Sequence, residues 1–536
     1  MVNSYTLKRL LVAGLLLCAT NTFAQTPAKP KPNWQNLDLK ADGMFGISTE
    51  KAYNELLKDK KPLKVIVAVI DGGVDVNHED LKDVILSNGK EIAGNGIDDD
   101  KNGYADDIHG WNFIGSAKGN LQYDNTELTR LLKKYWMKFA YATPETLKGE
   151  ELKAYNEHEK HKAELQKQRA EATQSLQNIS GFKQALEAVQ QAIGIENPTY
   201  KDVMNFVPRN QVDNRVREIV LRMMPEYKDF KDFKKNVVDE AYQHYNEKLN
   251  YHLNMDYEAR DLVGDNYENS NEHFYGNNDV TGPDADHGSH VAGIIAALRE
   301  NNLGIKGVAN NVAIMSVRTV PNGDERDKDV ANAIRYAADN GAKVINMSFG
   351  KPYSWDKKVV DEAVKYAVSK DVLLIHAAGN DNENTDDKIF YPNRNYEDKS
   401  GAAEAWIEVG ASGFKDDKTL KAPFSNYGKN TVDVFAPGVA IYSTTPNSEY
   451  TNHDGTSMAA PVVSGLAALI RSYYPSLTAT EVKELILRSV VKIDHKVNYK
   501  VGSKERSITF ADLCKTGGVV NAYNALKLAA AKSAAK

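Results

Sequence analysis

Four short stretches carry side chains that could do chemistry together. Ser457 stands in "DGTSMAAPVVSG", just before an apolar, small-residue run. At a helix start it reads either as an N-cap, whose oxygen satisfies an unpaired backbone N–H, or as an exposed nucleophile. His287 and His290 lie one helical turn apart in "HGSHVAGIIAA", and spacing does not choose between them. Asp71 ends the run "KVIVAVID", and Asn380 closes "AAGN". Acyl transfer needs a nucleophile, a base to take its proton, a carboxylate to orient that base, and donors for the oxyanion. The chain offers a candidate for each.

The elements that must hold these residues alternate strand with helix. "KVIVAVID" is nearly continuous and β-branched, as a strand buried on both faces of a parallel sheet should be. Further apolar runs at 312–317, 343–348, 372–379 and 405–411 read as strands, with helical patterns at 329–341 and 359–371 between them. This rhythm predicts an α/β fold whose sites lie beyond the carboxyl ends of parallel strands. Asp71, Ser348 and Asn380 each follow such a run directly. Residues 114–283 differ: rich in Lys, Glu, Gln, Asn and Tyr, they read as a helical insertion. Leu131, Leu132, Tyr135, Trp136 and Phe139 form one apolar stripe, and Phe182, Leu186, Val189 and Ile193 another. Thr143-Pro144-Glu145 reads as a helix start, and His158 and His161 as solvated surface on a charged helix.

The four segments resemble those of the subtilisin-like serine proteases (subtilases, peptidase S8), in the family's chain order Asp, His, Asn, Ser. The resemblance covers roughly residues 42–113 and 284–530. It implies a subtilisin-like parallel sheet flanked by helices, interrupted by the 114–283 insertion. It further implies Asp71 as orienting carboxylate, His287 as general base, Ser457 as nucleophile and Asn380 as oxyanion donor, with His290 packed in the cleft wall. Asp75 reads as a turn residue. An extended peptide would pair with Ser348, Phe349 and Gly350, and Ala377, Ala378 and Gly379 would line the first specificity pocket. Two departures stand out. Gly72 follows Asp71 where the family usually carries a hydroxyl residue, and Ser289 replaces the commoner threonine.

"DDDKNGYADD" sets Asp98, Asp100, Asn102 and Gly103 at D-x-D-x-N-G spacing, with Tyr104 placed to give a carbonyl and Asp106 two further on. This matches the first half of a calcium loop; the closing Glu is missing, so a remaining ligand must come from Asp107 or a distant residue. A solvated acidic turn is the alternative. No organic cofactor is expected. The insertion separates Asp71 from His287, so its base should lie near the cleft and restrict access to peptides or flexible chains.

The chain of 536 residues carries a net charge of -6 and no basic block interleaved with aromatics, which excludes nucleic acid as a partner. Its length suits one large domain with an insertion, or two domains. Residues 1–24 read as an export signal cleaved after Ala24, followed by a flexible leader over 25–41. Leu17 precedes Cys18 where a lipoprotein signal carries a small residue, so anchoring through Cys18 is disfavoured. That leaves Cys514 as the only cysteine of the exported protein. No run approaches the roughly 20 apolar residues of a transmembrane helix. No separately folding prosegment is expected before "DGMFGISTEKAY", and no further domain beyond the tail at 531–536. The rival to an exported serine endopeptidase acting on peptides or proteins is a catalytically silent peptide-binding module of the same fold. An esterase would need G-x-S-x-G after a strand, which Ser457 lacks.

Overall fold

The computed structural model describes residues 30–501 and 504–535. The expected export signal and Cys18 lie outside them. Among the described residues no helix is long and apolar enough to cross a membrane.

Contacts divide the chain into two units, one of residues 30–127 and 258–535, the other of residues 128–257. The first is built on a nine-stranded sheet. Its strands are β1 (Val65–Asp71), β2 (Gly110–Asn112), β3 (Val312–Arg318), β4 (Val344–Met347), β5 (Leu373–Ala377), β6 (Trp406–Ser412), β7 (Val434–Pro437), β8 (Val491–Lys492) and β9 (Gly518–Val519). Their order is β8-β9-β7-β6-β5-β4-β1-β3-β2, and every pairing is parallel except that of β8 with β9. The strands follow the apolar runs because β-branched residues fill both faces: β3, β4 and β5 are buried throughout. Ile70 is level with Met347, and Met347 with His376. One residue further on, Asp71, Ser348 and Ala377 therefore stand side by side at the carboxyl edge.

The second unit opens on the helix α1 (Glu127–Phe139), whose first residue belongs to the sheet-bearing unit. In its stripe Leu132 and Phe139 are buried, but Trp136 is 42% exposed. Thr143-Pro144-Glu145 starts only a single 3-10 turn, Pro144–Thr146. α2 (Gly149–Ile193) then runs for 45 residues. It buries His158, Leu165, Ala172, Ile179 and Leu186, one residue in every seven. His158 is thus not solvated: it occupies this narrow seam, its ring 5.4 Å from that of Phe139. Burial pushes its pKa below the ordinary histidine value. Leu186 and Val189 share a core with Val220, Phe230, Phe233 and Val238, and Phe182 and Ile193 flank it. Residues 114–127 and 258–283, which share the insertion's polar texture, belong to the sheet-bearing unit.

Candidate active site

Asp71 is the last residue of β1, and its side chain is 2% exposed. His287 sits in the first turn of α3 (Asp286–Ala296), and its Nδ1 lies 2.8 Å from Asp71 Oδ1 and 3.0 Å from Oδ2. The approach depends on Gly288, where a Cβ would meet the Gly73 carbonyl at 2.1 Å. Asp71 Oδ1 also accepts the Gly72 backbone N–H at 2.7 Å, so the missing hydroxyl of the following residue is replaced by main chain. Ser289 keeps a structural role: its hydroxyl accepts the Asp75 N–H at 2.8 Å. Asp75 in turn caps Asn77 N–H at 3.0 Å, as a turn residue does.

Burial alone would lower the His287 pKa. The Asp71 carboxylate, by charge and by hydrogen bond, outweighs it with help from Asp286 and Asp284, and the imidazole titrates above its ordinary value. Asp286 itself is pushed up to about 6 by burial and by the neighbouring Asp284 charge. His287 Nε2 has no hydrogen-bond partner among the described residues. His290, by contrast, is fully buried, with Nε2 against the Thr451 carbonyl at 3.1 Å and its ring 4.3 Å from that of His453. Burial and then His453 hold it well below the ordinary histidine value.

Ser457 lies in the first turn of α4 (Thr456–Tyr473), a helix buried along almost its whole length. It does not cap the helix. Its hydroxyl donates to the Ser348 carbonyl at 3.1 Å, and the Ser348 hydroxyl donates to the Ser457 carbonyl at 3.0 Å. The second bond has a local cause: Pro461 has no N–H to give the carbonyl four residues before it, and Ser348 fills the vacancy. Ser348 is itself fixed by Asn346 Nδ2 at 2.9 Å, and Asn346 by the Ser464 hydroxyl at 2.8 Å.

Asn380 follows β5 by three residues. Its Oδ1 accepts the Thr456 N–H at 2.8 Å and the Thr456 hydroxyl at 3.0 Å. That fixes the amide so that Nδ2 is its donor end, and a Cβ on Gly455, two residues before Ser457, would lie 3.7 Å from it. Ala377, Ala378 and Phe349 are buried, and Gly379 adopts φ +99, a conformation that favours glycine. The structure thus brings Asp71 to His287, Ser348 to Ser457, and Asn380 to the α4 start. It offers a proton acceptor, a hydroxyl and amide donors at one sheet edge, the inventory of acyl transfer.

The acidic loop is organised differently from the sequence pattern. Of Asp98, Asp100, Asn102, Tyr104 and Asp106, only Asp100 joins a carboxylate cluster, with Glu91 and Asp107, in which oxygens lie within 4.8 Å of one another. Asp106, at φ 57, turns its carboxylate to the backbone N–H groups of Gly94, Asn95 and Gly96 at 2.7, 3.2 and 2.8 Å. Asp98 accepts from the Asn102 and Gly103 N–H at 3.0 and 2.8 Å, closing the turn. Asn102 gives Nδ2 to Asp107 and accepts the Tyr104 N–H at 2.8 Å. Glu91, which no spacing rule pointed to, accepts from the Asp100 and Asp106 N–H at 2.9 and 3.0 Å. No lysine or arginine pairs with the three clustered carboxylates among the described residues. Close hard oxygens of this kind, hydrogen-bonded but with no basic side chain among them, fit a calcium ion.

The sequence model of the Subtilase family (peptidase S8) matches residues 63–505. The chain is 36% identical over 218 residues to subtilisin DY of Bacillus licheniformis, a match covering 40% of this chain and 74% of that protein. It is 41% identical over 214 residues to a thermophilic serine proteinase of Bacillus sp. (strain AK1), covering 40% of this chain and 49% of the relative. A cell wall-associated protease of Bacillus subtilis (strain 168) is 36% identical over 287 residues, 52% of this chain and 30% of the relative. The chain therefore spans about half or less of the latter two.

Proposed function

The chain belongs to the subtilase family of serine endopeptidases, and on that premise we propose that it hydrolyses peptide bonds through an acyl-enzyme formed on Ser457. The observation that carries the reading is the pair of Asp71 with His287 Nδ1 at 2.8 Å, which leaves Nε2 as the free base. In this mechanism the Ser457 hydroxyl turns from the Ser348 carbonyl toward His287 by rotation about χ1. Nε2 takes the proton as Oγ attacks the scissile carbonyl carbon. The resulting oxyanion is held by Asn380 Nδ2 and the Ser457 backbone N–H, at the positive end of α4. Collapse breaks the C–N bond, and the imidazolium gives its proton to the leaving amine. Water, deprotonated by the same imidazole, then hydrolyses the ester and restores the hydroxyl. Asp71 keeps Nδ1 protonated and stabilises the imidazolium.

An extended peptide pairs with the backbone of Ser348, Phe349 and Gly350, its first side chain entering between that segment and Ala377, Ala378 and Gly379. A structural calcium ion, held by Glu91, Asp100 and Asp107, would neutralise the acidic cluster. The apolar stretch within residues 1–24 supports export, in keeping with the relative named as cell wall-associated.

A fluorophosphonate probe tests the reading. The wild-type chain should be labelled at Ser457 and cleave a mixed peptide library, while Ser457→Ala should lose both the label and, by about 10⁶-fold, the turnover. A chain that binds peptides yet takes no label is the silent binding module instead.

A further inference from the structure

Asn380 can serve an oxyanion only if the loop around it is held still, since a misplacement of about 1 Å can cost 10²-fold in rate. Thr456 fixes its carboxamide, and its hydroxyl also accepts the Gly379 N–H at 3.1 Å. The carbonyls of Ala378 and Gly379 before Asn380 and the N–H groups of Asp381 and Glu383 after it are held by one residue, Asn426, which is fully buried and lies 46 positions further along the chain than Asn380. Asn426 Nδ2 donates to the Ala378 carbonyl at 2.8 Å, and its backbone N–H donates to the Gly379 carbonyl at 2.9 Å. Its Oδ1 accepts the N–H groups of Asp381 at 3.0 Å and Glu383 at 2.9 Å. The four bonds bracket Asn380 on both sides. The approach is close enough that a Cβ at Gly379 would stand 2.4 Å from Asn426 Nδ2. Neighbours complete the cradle: the Asn382 N–H reaches the Phe424 carbonyl at 2.8 Å, and Lys421 Nζ reaches Asn382 Oδ1 at 2.9 Å.

We propose that Asn426 is a positioning residue for acyl transfer, which touches no substrate and acts by holding the backbone from Ala378 to Glu383 so that Asn380 Nδ2 meets the oxyanion. Both amide ends are used, so no other residue type satisfies all the bonds: alanine loses the three side-chain ones, and aspartate sets an oxygen against the Ala378 carbonyl oxygen. Because the oxyanion exists only along the reaction path, the loss should fall on kcat rather than on KM.

The inference rests on the acyl-transfer reading, and a double-mutant cycle separates the two. kcat is measured per site titrated with the fluorophosphonate probe, which removes any contribution from unfolded protein. Asn426→Ala should lower kcat by about 10- to 100-fold with KM within about threefold, and Asn380→Ala by about 10²- to 10³-fold. In the Asn380→Ala background, Asn426→Ala should cost no more than about threefold further, because its target is already gone. Equal losses in both backgrounds, or a KM effect with kcat unchanged, overturn the assignment while leaving the mechanism standing. A wild-type chain that neither cleaves peptides nor takes the probe overturns the mechanism itself. If the alanine variant is not recovered folded, Asn426→Asp enters the same cycle, where a loss confined to the Asn380 background supports the assignment and equal losses overturn it.

Discussion

Asp71 and His287 are 216 positions apart in the chain and 2.8 Å apart in space, carboxylate oxygen to Nδ1. The pair sets a pH dependence whose sign is fixed. His287 must be neutral to accept the Ser457 proton, and Asp71 raises its pKa above the ordinary 6.5 by stabilising the imidazolium. The acid limb of kcat/KM should therefore have its midpoint above that value. Asp71→Asn removes the largest opposing charge, so the midpoint should fall while kcat drops by about 10⁴-fold. A limb that stays in place in the variant would show that another group controls the profile.

How much of the site is legible in the sequence depends on the kind of signal. The central strands are readable within one or two residues, because a strand buried on both faces needs an unbroken apolar run and nothing else there competes for it. Asp71, Ser348 and Asn380 can be placed because they follow such runs. Asn426 and Glu91 cannot: they bond main chain outside their own turn, Asn426 as donor and acceptor and Glu91 as acceptor of the Asp100 and Asp106 N–H groups, and a lone polar residue in a loop has no period. His158 escapes for a different reason. The buried seam of α2 takes one residue in seven, too sparse to register as an apolar face, and the histidine on it reads as one more polar residue.

Arg260 ties the returning segment after the helical unit to the sheet-bearing unit's own core. It pairs with Asp265 at 2.5 Å and Asp329 at 2.7 Å, and both carboxylates are wholly buried. Tyr275 also donates to Asp329, at 2.6 Å. Arg260→Met would keep the bulk and leave Asp329 without its buried cation, a loss of about 3–5 kcal/mol. Chemical denaturation should show the midpoint falling by that measure. A change under about 1 kcal/mol would mean that Lys328, which pairs with Asp265 at 2.6 Å, carries the local charge balance alone.

The carboxylates of Glu91, Asp100 and Asp107 are close enough to repel one another when charged, and a cation among them would offset that repulsion. Chelation with EGTA should lower the melting temperature by several degrees, and added calcium should restore it, since an ion binding only the folded state stabilises it by mass action. Glu91→Gln should blunt the response and Asp106→Asn should not, because Asp106 spends its oxygens on three backbone N–H groups. Equal effects of the two variants would return the loop to the ligand set that its spacing suggests.

Residues 128–257 have a core of their own. Ile179, Leu186 and Val189 of α2 meet Val216 and Val220 of the helix Gln211–Met223, and Phe230, Phe233 and Val238 close the cluster. The chain ends of the unit are joined as well, the Thr129 hydroxyl donating to the His252 carbonyl at 2.8 Å, and Arg169 in α2 donates to the Leu253 carbonyl at 2.5 Å. A unit with its own apolar core and tied ends should fold alone. Expressed as residues 128–257, it should give a helical circular dichroism spectrum and a single cooperative melt. The part of α2 before Ala172 buries little but its heptad seam, so it should exchange its amide hydrogens faster than the part after it. A broad, non-cooperative melt would mean instead that this core depends on the rest of the chain.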